Sequence, residues 1–171
     1  MFPERHSGFS TVAAIFLLVV LALLGAMIAS VTGIQQATSQ LDILGVRAYH
    51  SARTGMEWGA RAVLDPAHTL NPGTCAPPVM PACPASPTNL AGLGGSLAPF
   101  TVTVTCAQSA DTTEGNRSVR VFSIVATACN QPSGGVCPNP APGGDYVERQ
   151  LQASVAKCKD PTAAAPRCEC G

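Results

Sequence analysis

Eight cysteines, at 75, 83, 106, 129, 137, 158, 168 and 170, are the residues of this 171-residue chain best equipped for chemistry. A thiolate can ligate a metal, attack an electrophile or pair as a disulfide, and these outcomes need different neighbours. A soft-metal site could draw on Cys158, Cys168 and Cys170, the last two forming a Cys-Glu-Cys ending. No histidine is spaced among those tail cysteines, and an even count in a chain facing an oxidising compartment reads as a disulfide framework. Short separations favour Cys75 with Cys83 and Cys129 with Cys137 as local pairs, leaving the other connections open.

The remaining reactive side chains form no pattern of catalysis. His50 and His68 have neither an acid nor a nucleophile patterned beside them, and no phosphate loop, zinc-hydrolase helix or serine elbow occurs. Glu57-Trp58 could be a contact patch; the alternative is a glutamate on a solvated helix face with a tryptophan packed on a sheet. Asn116-Arg117-Ser118 fits an N-glycosylation acceptor. Arg117 and Arg120 could touch DNA or simply line a strand surface. Ten basic and ten acidic residues give no net charge, so no electrostatic argument for nucleic acid exists. No enzymatic activity, cofactor or metal is expected.

The elements that must position these residues begin with a long helix. No charged side chain lies between Arg5 and Asp42, and residues 12–34 are almost unbroken apolar sequence. At ~1.5 Å per residue that run crosses a ~30 Å hydrocarbon core. It exceeds the usual apolar region of a cleaved secretory signal, and the best small-residue cleavage site, before Ser30, has Met27 at its third position back. An uncleaved anchor is expected, with Arg5 and His6 biasing the N-terminus to the cytoplasm against the opposing Glu4. Small and apolar residues then recur at three- and four-residue steps from Ile34 through Leu41, Leu44/Gly45, Ala48, Ala52, Gly55 and Gly59 to Ala62/Val63. The helix is expected to run from Phe9 to Leu64, over roughly 80 Å, and to stop at Asp65-Pro66. Glycines 25, 33, 45, 55 and 59 each cost about 1 kcal/mol in an exposed helix, which implies close approach of something else or local unwinding.

Residues 66–99, with eight prolines, read as an irregular connection. Strict alternation over Phe100–Cys106 predicts a strand with Phe100, Val102, Val104 and Cys106 on one face and threonines on the other. Arg117–Cys129 reads as a longer strand whose phase slips near Val121-Phe122, predicting a bulge or burial on both faces. Tyr146–Lys157 alternates again, with Arg149 as the exception. Residues 107–116 and 130–144 are the expected loops. The simplest arrangement is an antiparallel meander lying on the amphipathic half of the helix.

A short leader ending in glycine, then phenylalanine, then a hydrophobic helix continuing amphipathically into a small disulfide-bonded sheet resembles a class III signal on a type IV pilin-like subunit. Gly8-Phe9-Ser10 is similar to the prepilin-peptidase junction. More narrowly, Gly8-Phe-Ser with Ala14-Ile-Phe-Leu-Leu-Val-Val-Leu21, Arg47-Ala-Tyr49 and Gly55-Met-Glu-Trp-Gly59 resemble the MshP-type minor pilins of mannose-sensitive haemagglutinin pilus systems, over roughly the first 64 residues. The resemblance implies an α+β pilin-like fold with a leader at 1–8, a membrane or filament-core half at 9–34, an amphipathic half at 35–64 and a globular head at 65–171. It implies cutting after Gly8 to expose Phe9. It also implies residence in a bacterial inner membrane with a periplasmic head, and partnership with prepilin peptidase, other minor pilins, the major pilin, the assembly platform and, before assembly, the lipid bilayer. In that family the fifth mature residue is usually glutamate; here it is Ala13, which points to a place at or near the tip. The alternatives are a minor pseudopilin of a secretion system, a bitopic protein with a disulfide-bonded ligand domain, and a secreted metal-binding protein.

Overall fold

The computed structural model describes residues 8–65, 74–76, 80, 82–165, 168 and 170. The leader before Gly8, with Glu4, Arg5 and His6, lies outside the described residues, as do Pro66 and His68. The protein is α+β: one long N-terminal helix, an antiparallel sheet and four disulfides. Its residues divide into two compact units, Met1–Asp42 and Ile43–Gly171.

Helix α1 covers Gly8–Leu64, 57 residues. In the first unit every residue from Thr11 to Gly33 except Val20 is exposed. The hydroxyls there turn back on the helix: Ser30 Oγ donates to the Met27 carbonyl at 2.8 Å, and Thr32 Oγ1 reaches the Ile28 and Ala29 carbonyls at 3.0 Å. The Ser30 and Thr32 hydroxyls are therefore satisfied within the helix itself.

In the second unit the three- and four-residue rhythm does what periodicity requires, turning Gly45, Ala48, Ala52, Gly55, Gly59 and Val63 inward. Ser51 is buried among them and donates to the Arg47 carbonyl at 2.9 Å. The helix and sheet approach closely because two positions carry no side chain. A Cβ on Gly55 would stand 2.5 Å from Val102 Cγ1, and one on Gly59 would stand 2.8 Å from Ile124 Cγ2. At the helix end, Asp65 N donates to the Arg61 carbonyl at 2.8 Å. Lys157, 94 residues beyond Val63, donates through Nζ to the Val63 carbonyl at 2.6 Å and the Asp65 carbonyl at 2.8 Å. A side chain of the sheet thus occupies carbonyls that the helix leaves unpaired.

The sheet contains β1 (Thr88–Leu90), β2 (Thr101–Gln108), β3 (Thr112–Glu114), β4 (Arg117–Cys129) and β5 (Glu148–Lys159). β2, β4 and β5 form the expected meander, with β5 on one edge of β4 and β2 and β3 sharing the other. β1 and β3 fall where the sequence suggested only connection and loop; at three residues each they are too short for alternation to register. Between them a 3₁₀ turn, Gly95–Leu97, leads into β2.

The register of β4 against β2 and β5 is continuous, so the phase slip at Val121-Phe122 is not a bulge. Nor are both faces buried there: Phe122 is fully buried while Val121 is 42% exposed, so alternation continues through the slip, and both faces close only from Ala126 to Cys129. β2 departs from the expected half-exposed strand for the same reason, since Thr101 and Thr103 are buried opposite Val102 and Val104. The loop after β4 covers that second face. Thr103 Oγ1 accepts from Cys137 N at 2.8 Å and donates to Asn89 Oδ1 at 2.8 Å.

Overpacking at the seam is the direct test of this arrangement. Gly55→Ala is expected to destabilise the second unit by about 1–3 kcal/mol because Val102 must yield. Gly25→Ala, where a Cβ meets nothing within 4 Å, is expected to be neutral or to gain up to about 1 kcal/mol of helix propensity. Thermal unfolding of the two variants in detergent measures the contrast.

Candidate functional site

The residues singled out by sequence lie in three separate places. Gly8 and Phe9 open α1, and Ala13 is exposed one turn further on. Around it, Val12, Ile15, Phe16 and Leu17 are all more than half exposed, so this chain offers that stretch no apolar partner among the described residues. Among the described residues one helix is long and apolar enough to cross a membrane.

The glycines of α1 separate into two kinds. Gly55 and Gly59 receive β2 and β4, and Gly45 lies beneath the Arg149 guanidinium, with a built Cβ only 3.2 Å from Nη2. Arg149, out of phase in the strand alternation, is thereby explained: it extends over a notch in the helix. A Cβ on Gly25 or Gly33 meets nothing within 4 Å among the described residues.

The second place is Glu57-Trp58. The Glu57 carboxylate accepts from Arg53 Nε at 3.0 Å one helical turn away, with both side chains mostly in solvent. An exposed pair of this kind contributes only a few tenths of a kcal/mol, about 0.3–0.5. Trp58 sits at the rim of the helix–sheet seam and lines an apolar crevice of about 10 Å³ with Gly59, Pro84, Ala85, Cys106 and Ile124. That is room for about one water molecule, far below the roughly 300 Å³ that a drug-sized ligand needs.

The third place is the disulfide framework. All eight cysteines are paired: Cys75–Cys168, Cys83–Cys106, Cys129–Cys137 and Cys158–Cys170. The local pairing expected for Cys75 with Cys83 is incorrect. Cys83 N donates to Gln108 Oε1 and Cys106 N donates to Ser86 Oγ at 2.9 Å, so the segment before β1 runs beside β2 and brings Cys83 to Cys106. Cys75 instead meets the tail at Cys168, 93 residues away. The tail thiols considered for a metal, Cys158, Cys168 and Cys170, are all engaged in these bridges. Among the described residues no group of three or more His, Cys, Asp or Glu is placed to hold a metal ion.

Two organising residues escaped the sequence reading. Lys157, which the sequence marks only as the end of an alternating strand, is 4% exposed and caps α1. Asp160, after β5, collects the tail: Oδ1 accepts from Thr162 N at 2.8 Å and Thr162 Oγ1 at 2.6 Å, Oδ2 accepts from Arg117 Nε at 3.0 Å, and its own N–H reaches the Cys168 carbonyl at 2.9 Å. The Asp-Pro-Thr spacing is an Asx-turn signal that could have revealed it. The Thr162 hydrogen bonds, followed by the Arg117 guanidinium, hold the Asp160 carboxyl below its ordinary value. Burial, followed by the hydrogen bond to Glu148, pushes Tyr146 up, and burial lowers Lys159.

Comparison with protein-family models, curated proteins and solved structures finds no match for this chain. A depressed Asp160 stabilises the folded tail above the carboxyl's unfolded value and loses that contribution as pH falls through the folded one. Asp160→Asn is expected to loosen the tail at neutral pH, and the difference from the parent should shrink at an acid pH below the folded carboxyl's depressed value, where both carry an uncharged side chain. Amide exchange of residues 158–165 at the two pH values reads the effect.

Proposed function

We propose that this chain is a non-enzymatic minor subunit of a type IV pilus of the mannose-sensitive haemagglutinin class, acting in initiation or at the tip. In this reading prepilin peptidase cuts after Gly8 at the cytoplasmic side of a bacterial inner membrane. Residues 9–34 hold the chain in the bilayer, and the disulfide-bonded head faces the periplasm. The assembly platform then draws the subunit into a complex with other minor pilins and the major pilin.

The observation that carries this reading is the division of labour along α1. Its charge-free half begins at Gly8-Phe9 and exposes nearly every side chain, while its second half is a seam filled by the chain's own sheet. A helix that is apolar all round demands lipid or other helices. Exposed Gly25 and Gly33 supply places where another backbone can come near. The same half can serve as membrane anchor first and filament core later, because both environments are dry.

Ala13 fits a terminal position. A buried carboxylate is tolerable only beside a compensating charge, and a subunit with none stacked above it has no amine to neutralise. Alanine leaves no such charge stranded.

The mature N-terminus decides the processing step. Mass spectrometry of the membrane-extracted protein should find a chain starting at Phe9, and Gly8→Val should leave the uncut precursor because a branched side chain obstructs the peptidase. A native chain starting at Met1 or Ser30 would contradict the reading. For position 13, Ala13→Glu should fail to increase, and is expected to reduce, the number of pili per cell. Electron microscopy of labelled subunits supplies the count and the location. Uniform labelling along filaments, or improved incorporation of the glutamate variant, would remove the tip assignment.

A further inference from the structure

Four asparagines are described, and three have working amides. Asn89 Oδ1 accepts from Thr103 at 2.8 Å. Asn130 donates to the Asp145 carbonyl at 2.7 Å and accepts from Val147 N at 2.9 Å. Asn139 donates to the Gln131 carbonyl at 2.8 Å and accepts from Ala141 N at 2.9 Å. Asn116 makes no hydrogen bond among the described residues and is exposed.

Its setting is a hairpin tip. Glu114 and Arg117 pair across the two-residue turn between β3 and β4, and Gly115, at φ +63°, takes the first central position, where a type II′ turn requires glycine. The Asn116 amide is thus presented at the end of a ribbon whose β3 strand is exposed throughout. Turn chemistry explains Gly115-Asn116, but it makes no demand for a hydroxyl two residues on. Ser118 supplies one, completing the acceptor tripeptide of N-linked glycan transfer. Ser118 is buried in the closed hairpin, so a transferase reads it while β4 is still unpaired at this end. A three-residue β3 opens at little cost.

We propose that Asn116 is a site of N-glycosylation, accepting an oligosaccharide from a polyprenyl-pyrophosphate carrier in the compartment where the disulfides form. The amide nitrogen attacks the anomeric carbon. The N–C bond forms as the C–O bond to pyrophosphate breaks, polyprenyl pyrophosphate leaves with the bonding pair, and one amide proton passes to a base of the transferase. No oxidant or reductant enters. This inference rests on export of the 43–171 unit and is independent of pilus assembly.

The test is a non-reducing digest of the full chain purified from the cells that make it, analysed by mass spectrometry. Peptides containing Asn116 are expected to carry the mass of several sugar residues, released as sugar fragment ions. The addition should be absent in Asn116→Gln and retained in Ser118→Thr. A chain with its disulfides formed and Asn116 wholly unmodified overturns the proposal and leaves export standing. Unmodified Asn116 together with eight free thiols overturns both. Sugar persisting in Asn116→Gln also overturns it. Asn116 is exposed and unbonded, so its glutamine variant is expected to fold and keeps the comparison interpretable.

Discussion

The head depends on how closely α1 lies to its sheet. Without side chains at Gly55 and Gly59, the helix backbone rests directly on Val102, Val104 and Ile124, and Ala126 contributes only a methyl group opposite. Dispersion falls off steeply with distance, so a helix lifted by even one methyl would lose contact along the whole seam. The lift would also withdraw the Val63 and Asp65 carbonyls from Lys157, whose bonds to them are among the shortest at this interface. Strand register is bound to the same seam: a slip of one residue in β2 would turn threonines to the helix in place of Val102 and Val104.

The other sheet face is closed differently. The loop after β4 has few large apolar side chains, and polar bonds hold it: Gln131 accepts from Gly143 N, Asn130 accepts from Val147 N, and Tyr146 bonds both Asn139 and Glu148. Cys129–Cys137 pins this loop at its start, which puts Cys137 N within reach of Thr103. A domain with so few aromatics benefits from such staples because each removes unfolded conformations, a contribution of typically ~2–4 kcal/mol. The three remaining bridges act on irregular segments: one joins the segment before β1 to β2, and two fix the tail after β5.

What could be read in advance follows from the range of each signal. The helix announced itself through dozens of residues of consistent periodicity, and the three long strands through alternation over seven residues or more. β1 and β3 lie below that threshold. Their positions depend on β2 and β4 offering edges, which no local pattern encodes. Disulfide partners were legible only where the bridge is local, as at Cys129–Cys137. Cys75 and Cys83 are close in sequence, but the path beside β2 sends them to different partners. Lys157 shows what a strand pattern leaves out: alternation assigns a face, but it does not reveal that the end of α1 lies there with carbonyls to fill.

The two halves of α1 also differ in what their glycines accomplish. In the seam, the cost of about 1 kcal/mol per helical glycine is offset by contacts that no alanine would permit. At Gly25 and Gly33 no contact among the described residues offsets it. Lipid alone does not demand glycine, since fluid acyl chains pack as readily around a methyl group. A second protein backbone does demand it, because only a missing side chain lets two helices come near enough for extensive dispersion in a medium without a hydrophobic drive between them. The open glycines, the self-satisfied hydroxyls of Ser30 and Thr32, and the absence of charge from residue 6 to 41 are what the proposed exchange of lipid for neighbouring helices asks of this surface.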